Sequence, residues 1–147
     1  MVNSKNLDYV RSRLANWLLK GMRRKVAGDD PFHWTFVNFR EMVLATDNPA
    51  VLEIGSRNVS TGQKGCDRFP GVTDYTGVDI HPGQYVDVVA DAHQLGRAFP
   101  TRRFDFVYSL PVLEHLMFPW KVVLEINEIL KPGGHVFVST HPRMANA

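Results

Sequence analysis

Two textures of apolar and polar positions divide the chain. Leu7, Val10, Leu14, Trp17, Leu18 and Gly21 recur at helical spacing, with Arg11, Arg13 and Lys20 on other faces. That spacing predicts an amphipathic helix, running into the basic cluster Arg23, Arg24 and Lys25 and broken by "AGDDP". A second helix is predicted over residues 32–45, where Phe32, Phe36, Phe39 and Val43 form an apolar stripe and "TDNP" supplies the stop. From Ala50 short apolar runs replace the helical period: "AVLEI", "YTGVDI", "VDVV", "FDFVYSL" and "HVFVST" each read as a strand. Between the last two, "PWKVVLEINEILKPGG" reads as a helix. Val122, Val123, Ile126, Ile129 and Leu130 keep its period, and Gly133-Gly134 after Pro132 make its exit.

Strands alternating with helical or loop crossings predict an α/β fold, a doubly wound Rossmann-like parallel sheet with helices on both faces. The expected organisation is an N-terminal helical segment, 1–49, followed by a sheet domain, 50–147. A length of 147 residues has room for one domain but not two. A formal charge of +2 is too mild to argue for nucleic acid, so none is expected as a partner. The single cysteine, Cys66, excludes an internal disulfide and any CxxC metal site, and suits a cytoplasmic location. No apolar run approaches the roughly 18 residues of a membrane span, and "MVNSKNLDYV" lacks the apolar stretch of a secretory signal.

In a doubly wound sheet the ligand lies beyond the carboxyl ends of the strands, where strand order reverses. The loop in "VLEIGSRN" is therefore the expected site. Gly55 lets backbone approach a ligand and tolerates unusual dihedrals. Asp79, ending "YTGVDI", falls about two dozen residues beyond Gly55, near the spacing at which an acid accepts from ribose hydroxyls. Asp91 in "VVADAH" is placed to accept from an adenine amino group, with Ala92 leaving room for the ring. A dinucleotide site needs G-x-G-x-x-G to embrace a pyrophosphate. The run Gly55-Ser56-Arg57-Asn58-Val59-Ser60 lacks the second and third glycines, which disfavours NAD and favours a ligand without phosphates.

Over about residues 50–142 these stretches resemble the class I S-adenosylmethionine-dependent methyltransferases. "VLEIGS" resembles the first motif of that family, "GVDI" its ribose-binding acid and "ADAH" its adenine-side loop. "FDFVYSLPVLEHL" is similar to its fourth strand with the following Glu-His, and "EINEILKPGGHVFVST" to its helix, turn and fifth strand. The last stretch and the Glu-His resemble small-molecule methyltransferases, including ones acting on glycans or lipids. The resemblance implies strand order 3-2-1-4-5, S-adenosyl-L-methionine as cofactor, and methyl transfer to a small-molecule, glycan or lipid acceptor. It implies that Glu53 and Gly55 approach the methionine part, that Asp79 holds the ribose, that Asp91 and Ala92 line the adenine, and that Ser109 and Leu110 sit beside the sulfonium. Ser56, Arg57 and Ile80 are counted with them in the cofactor site. Arg57 is either exposed or paired with the methionine carboxylate.

Methyl transfer to oxygen or nitrogen often needs a proton removed, commonly by histidine. His81, His93, His115 and His141 all follow strand ends. In the implied order the third and fifth strands lie four steps apart, roughly 19 Å at about 4.8 Å per step, so no single metal site takes all four, and no metal is expected. His115 and His141 fall on the acceptor side and are the candidate catalytic bases. Trp17, Trp34 and Trp120 read as core. The family usually continues beyond the fifth strand with a helix and an antiparallel pair of strands, so the expected domain lacks those strands. Its fifth strand is then an exposed edge, inviting an oligomer through edge pairing. The competing reading is a non-catalytic module that binds cofactor or a protein partner without turnover.

Overall fold

The computed structural model describes residues 31–58 and 64–140. The predicted first helix, the basic cluster after it, Trp17 and His141 lie outside the described residues. The chain divides into two compact units, Met1–Val37 and Asn38–Ala147, and the sheet and its cavity belong entirely to the second.

Helix α1 spans Pro31–Ala45. Proline suits a first turn, where its missing N–H has no intrahelical acceptor. Phe39 and Val43, four positions apart, are buried, as one face of a helix requires. After the helix, Thr46 Oγ1 donates to Met42 O at 2.9 Å and Asn48 turns the chain at φ +44°.

Five strands follow: β1 (Val51–Ile54), β2 (Tyr75–Asp79), β3 (Val88–Val89), β4 (Phe104–Ser109) and β5 (Leu130–Val138). They form one parallel sheet in the order β3-β2-β1-β4-β5, the topology predicted above. β3 and β5 are its edges. Side chains alternate between faces along each strand. Leu52, Ile54, Val78 and Val107 pack against Leu95 of α2 (Leu95–Ala98) and against Val122, Ile126 and Ile129 of α3 (Pro119–Ile129). The other face is aromatic: Phe39 lies 5.6 Å from Phe106 and from Phe137, and Phe69 lies 5.3 Å from Tyr108, centroid to centroid.

Helix α3 stops earlier than predicted. It ends at Ile129, and Leu130 is already extended and paired with Phe104. Pro132 explains the stop, because the residue before a proline is pushed out of the helical region and proline has no amide to continue the ladder. Gly133 takes φ +80° in the resulting bulge, and pairing resumes at Phe106 with His135. Asp105 Oδ2 pins that bulge, accepting from Lys131 Nζ and from the Ala50 amide, each at 2.8 Å. Burial alone raises the Asp105 carboxyl, but these two bonds, with the Lys131 charge and the Asp105 amide, outweigh it, so it titrates below its ordinary value.

The tryptophans depart from their core expectation: Trp34 is 55% and Trp120 65% exposed. At about 100° per residue, Trp120 sits roughly 200° around α3 from Val122, off its buried stripe. Helical phase decides here, whatever the apolar content of the ring.

Candidate cofactor site

The loop after β1 is shaped by Gly55, which takes φ +83°. Its amide and that of Ser56 both donate to Val78 O, at 2.8 and 3.1 Å. A Cβ on Gly55 collides with Val112 Cγ2 from the loop after β4. Both conformation and space therefore demand glycine at this position. Arg57 does not share the demand: among the described residues positive φ outside glycine occurs at Asn48 and Tyr85. Losing the second glycine of a dinucleotide loop thus costs this backbone no strain.

Asp79 ends β2 with both carboxylate oxygens engaged by backbone. Oδ1 accepts from the His81 amide at 2.9 Å, and Oδ2 from the Arg57 amide at a long 3.4 Å. Arg57 Nε stands 3.9 Å from Asp79 Oδ1, and the stem of Arg57 lies over Gly83, where a Cβ would come within 2.8 Å of it. Asp91 caps the turn Ala92–Gln94, its Oδ1 accepting from the His93 amide at 2.9 Å and from His93 Nδ1 at 2.7 Å. The amide, then the ring, hold the Asp91 carboxyl below its ordinary value. Charge on Asp91 is thereby favoured, and backbone amides fix both side chains in place.

These groups open on a cavity of about 560 Å³, within the ~300–1,000 Å³ usual for small-molecule sites. Of the residues singled out in the sequence, Gly55, Asp79, Ile80, Asp91, Ala92 and His115 line it. Glu53, Ser56, Arg57, Ser109 and Leu110 do not line it. Ser109 is fully buried, and its Oγ donates to Ile54 O at 3.2 Å. Ser56 is buried with its Oγ unpartnered among the described residues. His93, Val112, Leu116, Met117, Phe118 and Lys121 are also among the lining residues; the sequence alone assigns none of them to the site. The signal for Leu116, Met117 and Phe118 is "LMF" beside the helix-opening Pro119, in the loop after β4.

Glu53 points to the other face of the sheet. It is 8% exposed, the Tyr75 hydroxyl donates to its Oε2, and that hydroxyl also shares a hydrogen bond with Tyr108. Gly65 closes over the group so tightly that a Cβ there collides with the carboxylate. Burial raises the Glu53 carboxyl above its ordinary value, against the lowering effect of the Tyr75 and Tyr108 bonds. Burial, ahead of the neighbouring charges, also drives both phenols above their ordinary range.

A parallel sheet whose strand order reverses between β1 and β4, with a cavity at that reversal, defines a Rossmann-like domain. Residues 52–138, more than half of the chain, match the family profile described as Methyltransferase domain. The chain belongs to that family, the class I S-adenosylmethionine-dependent methyltransferases. It is similar to the ubiquinone biosynthesis O-methyltransferase of Nitrosococcus oceani, 46% identical over 44 residues, which is 30% of this chain and 19% of that protein. The protein of the same name from Pectobacterium carotovorum is 41% identical over 63 residues, 43% of this chain and 25% of that protein. That from Photorhabdus laumondii is 36% identical over 66 residues, 45% and 26%. The matched stretch thus spans about a fifth to a quarter of the length of these curated relatives. Among the described residues no helix is long and apolar enough to cross a membrane, and no three His, Cys, Asp or Glu side chains group to hold a metal ion.

Proposed function

We propose that this domain binds S-adenosylmethionine in the cavity and serves methyl transfer to a hydroxyl of a small-molecule acceptor. One observation carries the reading: Asp79 and Asp91, each fastened by the amide two residues on, face one cavity beside Gly55. Asp79 suits the ribose hydroxyls. With its Oδ1 taken by His93, Asp91 has Oδ2 to offer an adenine amino group, between the apolar surfaces of Ile80 and Ala92. The residues fit such a ligand, being largely apolar with acceptors at the positions a nucleoside presents donors.

When bound, S-adenosylmethionine supplies a methyl group on a sulfonium that leaves as a neutral thioether. The chain's own task is then to position and to exclude water. The relatives are named for O-methylation, and a hydroxyl acceptor sheds a proton as it is methylated. His115, in the turn Leu113–His115 on the cavity wall, is our candidate to take that proton; His141 is the second candidate. Glycan and lipid hydroxyls fall in the same chemical class.

Isothermal titration with S-adenosylmethionine, S-adenosylhomocysteine and NAD is the direct test. The first two are expected to bind and NAD is not; NAD binding of equal strength overturns the reading. Saturable binding with no transfer to any hydroxyl acceptor favours the non-catalytic module instead. For the base, His115→Ala should lower kcat by about 10²–10⁴ with cofactor affinity unchanged. An unchanged kcat removes His115 from the mechanism.

A further inference from the structure

We propose that His93 is a positioning residue, which fastens the loop after β4 to the loop after β3 and thereby fixes the Phe118 wall of the cavity. A carboxylate oxygen only accepts hydrogen bonds. Since Asp91 Oδ1 lies 2.7 Å from His93 Nδ1, Nδ1 carries the ring proton. The Phe118 amide donates to Nε2 at 3.3 Å, so Nε2 is the accepting nitrogen of the ring. The bonds run in one direction, from the Phe118 amide through the imidazole to the Asp91 carboxylate.

Phe118 is the residue before Pro119 opens α3, so its amide lies outside the ladder of that helix and needs a partner elsewhere. Its carbonyl accepts from the amides of Lys121 and Val122, at 3.0 and 3.4 Å. The residue is thus held on one side by α3 and on the other by His93. The rings meet edge to face, with centroids 6.1 Å apart and planes at 80°, and the His93 side chain is 16% exposed. His93 and Phe118 both line the cavity. The carboxylate that we assign to the adenine amino group therefore also orients, through His93, the wall that faces it. In that respect the inference rests on the proposed function, although the link itself exists without ligand.

Two amide substitutions separate the two ring nitrogens. His93→Gln offers its side-chain oxygen near the place of Nε2, whereas His93→Asn offers its NH₂ near the place of Nδ1. In the ligand-free protein, hydrogen exchange of the Phe118 amide should be slow for wild type and for the Gln variant, and at least about tenfold faster for the Asn variant. Long-range proton–nitrogen correlation should show the wild-type ring protonated at Nδ1. S-adenosylhomocysteine should bind the Gln variant within about threefold of wild type and the Asn variant about five- to tenfold more weakly. Free exchange of the wild-type Phe118 amide, a ring protonated at Nε2, or identical exchange in the two variants overturns the link. If wild type binds no S-adenosylhomocysteine, the proposed function fails, and exchange and protonation alone decide on His93.

Discussion

Asp79 and Asp91 on one side, and Glu53 on the other, are carboxylates of one sheet put to different work. Each aspartate stands where its strand gives way to a loop and accepts from the amide two residues further along, at 2.9 Å in both cases. The backbone thus fixes the side chain while it still faces the cavity. Glu53 stands one residue before the end of β1, and the pleat sends it away from the cavity that Ile54 lines. There Tyr75 and Tyr108 receive it among buried rings. What separates the two kinds of acid is position rather than chemistry. Past a strand end the backbone is free to aim the group, whereas inside a strand a parity of one residue decides its face.

Removing Glu53 is the strongest way to break the contrast, because it should damage the fold first. Glu53→Ala leaves a void and buried phenol hydroxyls without their acceptor, and should cost about 2–4 kcal/mol in denaturant unfolding. A loss below about 0.5 kcal/mol would place Glu53 with the surface acids. Glu53→Gln sharpens the same point through pH. Because burial raises this carboxyl, the folded state keeps its proton longer than the unfolded chain does. Stability from this group is therefore fully present below the ordinary value of 4.5 and declines as pH rises through the raised folded value. The glutamine variant escapes that decline, so its stability relative to wild type should climb as pH is raised. A difference that stays flat from about pH 4 to 8 would contradict the raised value.

Asp79 should show the opposite balance, losing ligand before fold. Asp79→Ala is expected to weaken S-adenosylmethionine binding by about 1.5–3 kcal/mol, the value of a charge-assisted hydrogen bond. Thermal unfolding should move far less than for Glu53→Ala, since the amides of Arg57 and His81 that it releases lie at exposed positions. A loss of affinity under about threefold, with the fold intact, would take Asp79 out of the site.

Much of this was legible in the residues. Runs such as "YTGVDI" and "FDFVYSL" are short, apolar and bounded by turn residues, and the spacing of Gly55 and Asp79 is local information about one crossover. The face of Glu53 was not legible, because all four residues of β1 are buried and a strand covered on both sides shows no alternation to assign parity. Leu130 fits the stripe of α3 and the start of β5 equally well, so only the proline two residues on marks the true boundary. Trp120 was misread because apolar content was weighed without helical phase. The bond from Phe118 to His93 joins residues 25 positions apart, and no local pattern announces a contact of that kind.

The smallest effect is expected at Arg57, and it tests whether the pocket acid or the ligand commands that side chain. A guanidinium free to turn to the cavity would suit the carboxylate of the methionine tail. Instead its stem lies over Gly83, its Nε faces Asp79 at 3.9 Å, and Arg57 does not line the cavity. A half-exposed pair at that distance is worth little, about 0–1 kcal/mol. The amide of Arg57, which any residue retains, makes the other contact with Asp79. Arg57→Ala should therefore weaken S-adenosylmethionine and adenosine alike, each by no more than about 1 kcal/mol, through a slightly looser Asp79. Titrating both ligands against the variant decides the matter. If S-adenosylmethionine loses more than about tenfold while adenosine is untouched, the guanidinium serves the methionine carboxylate. Arg57 would then join Asp79 and Asp91 as a group that the loops hold for ligand.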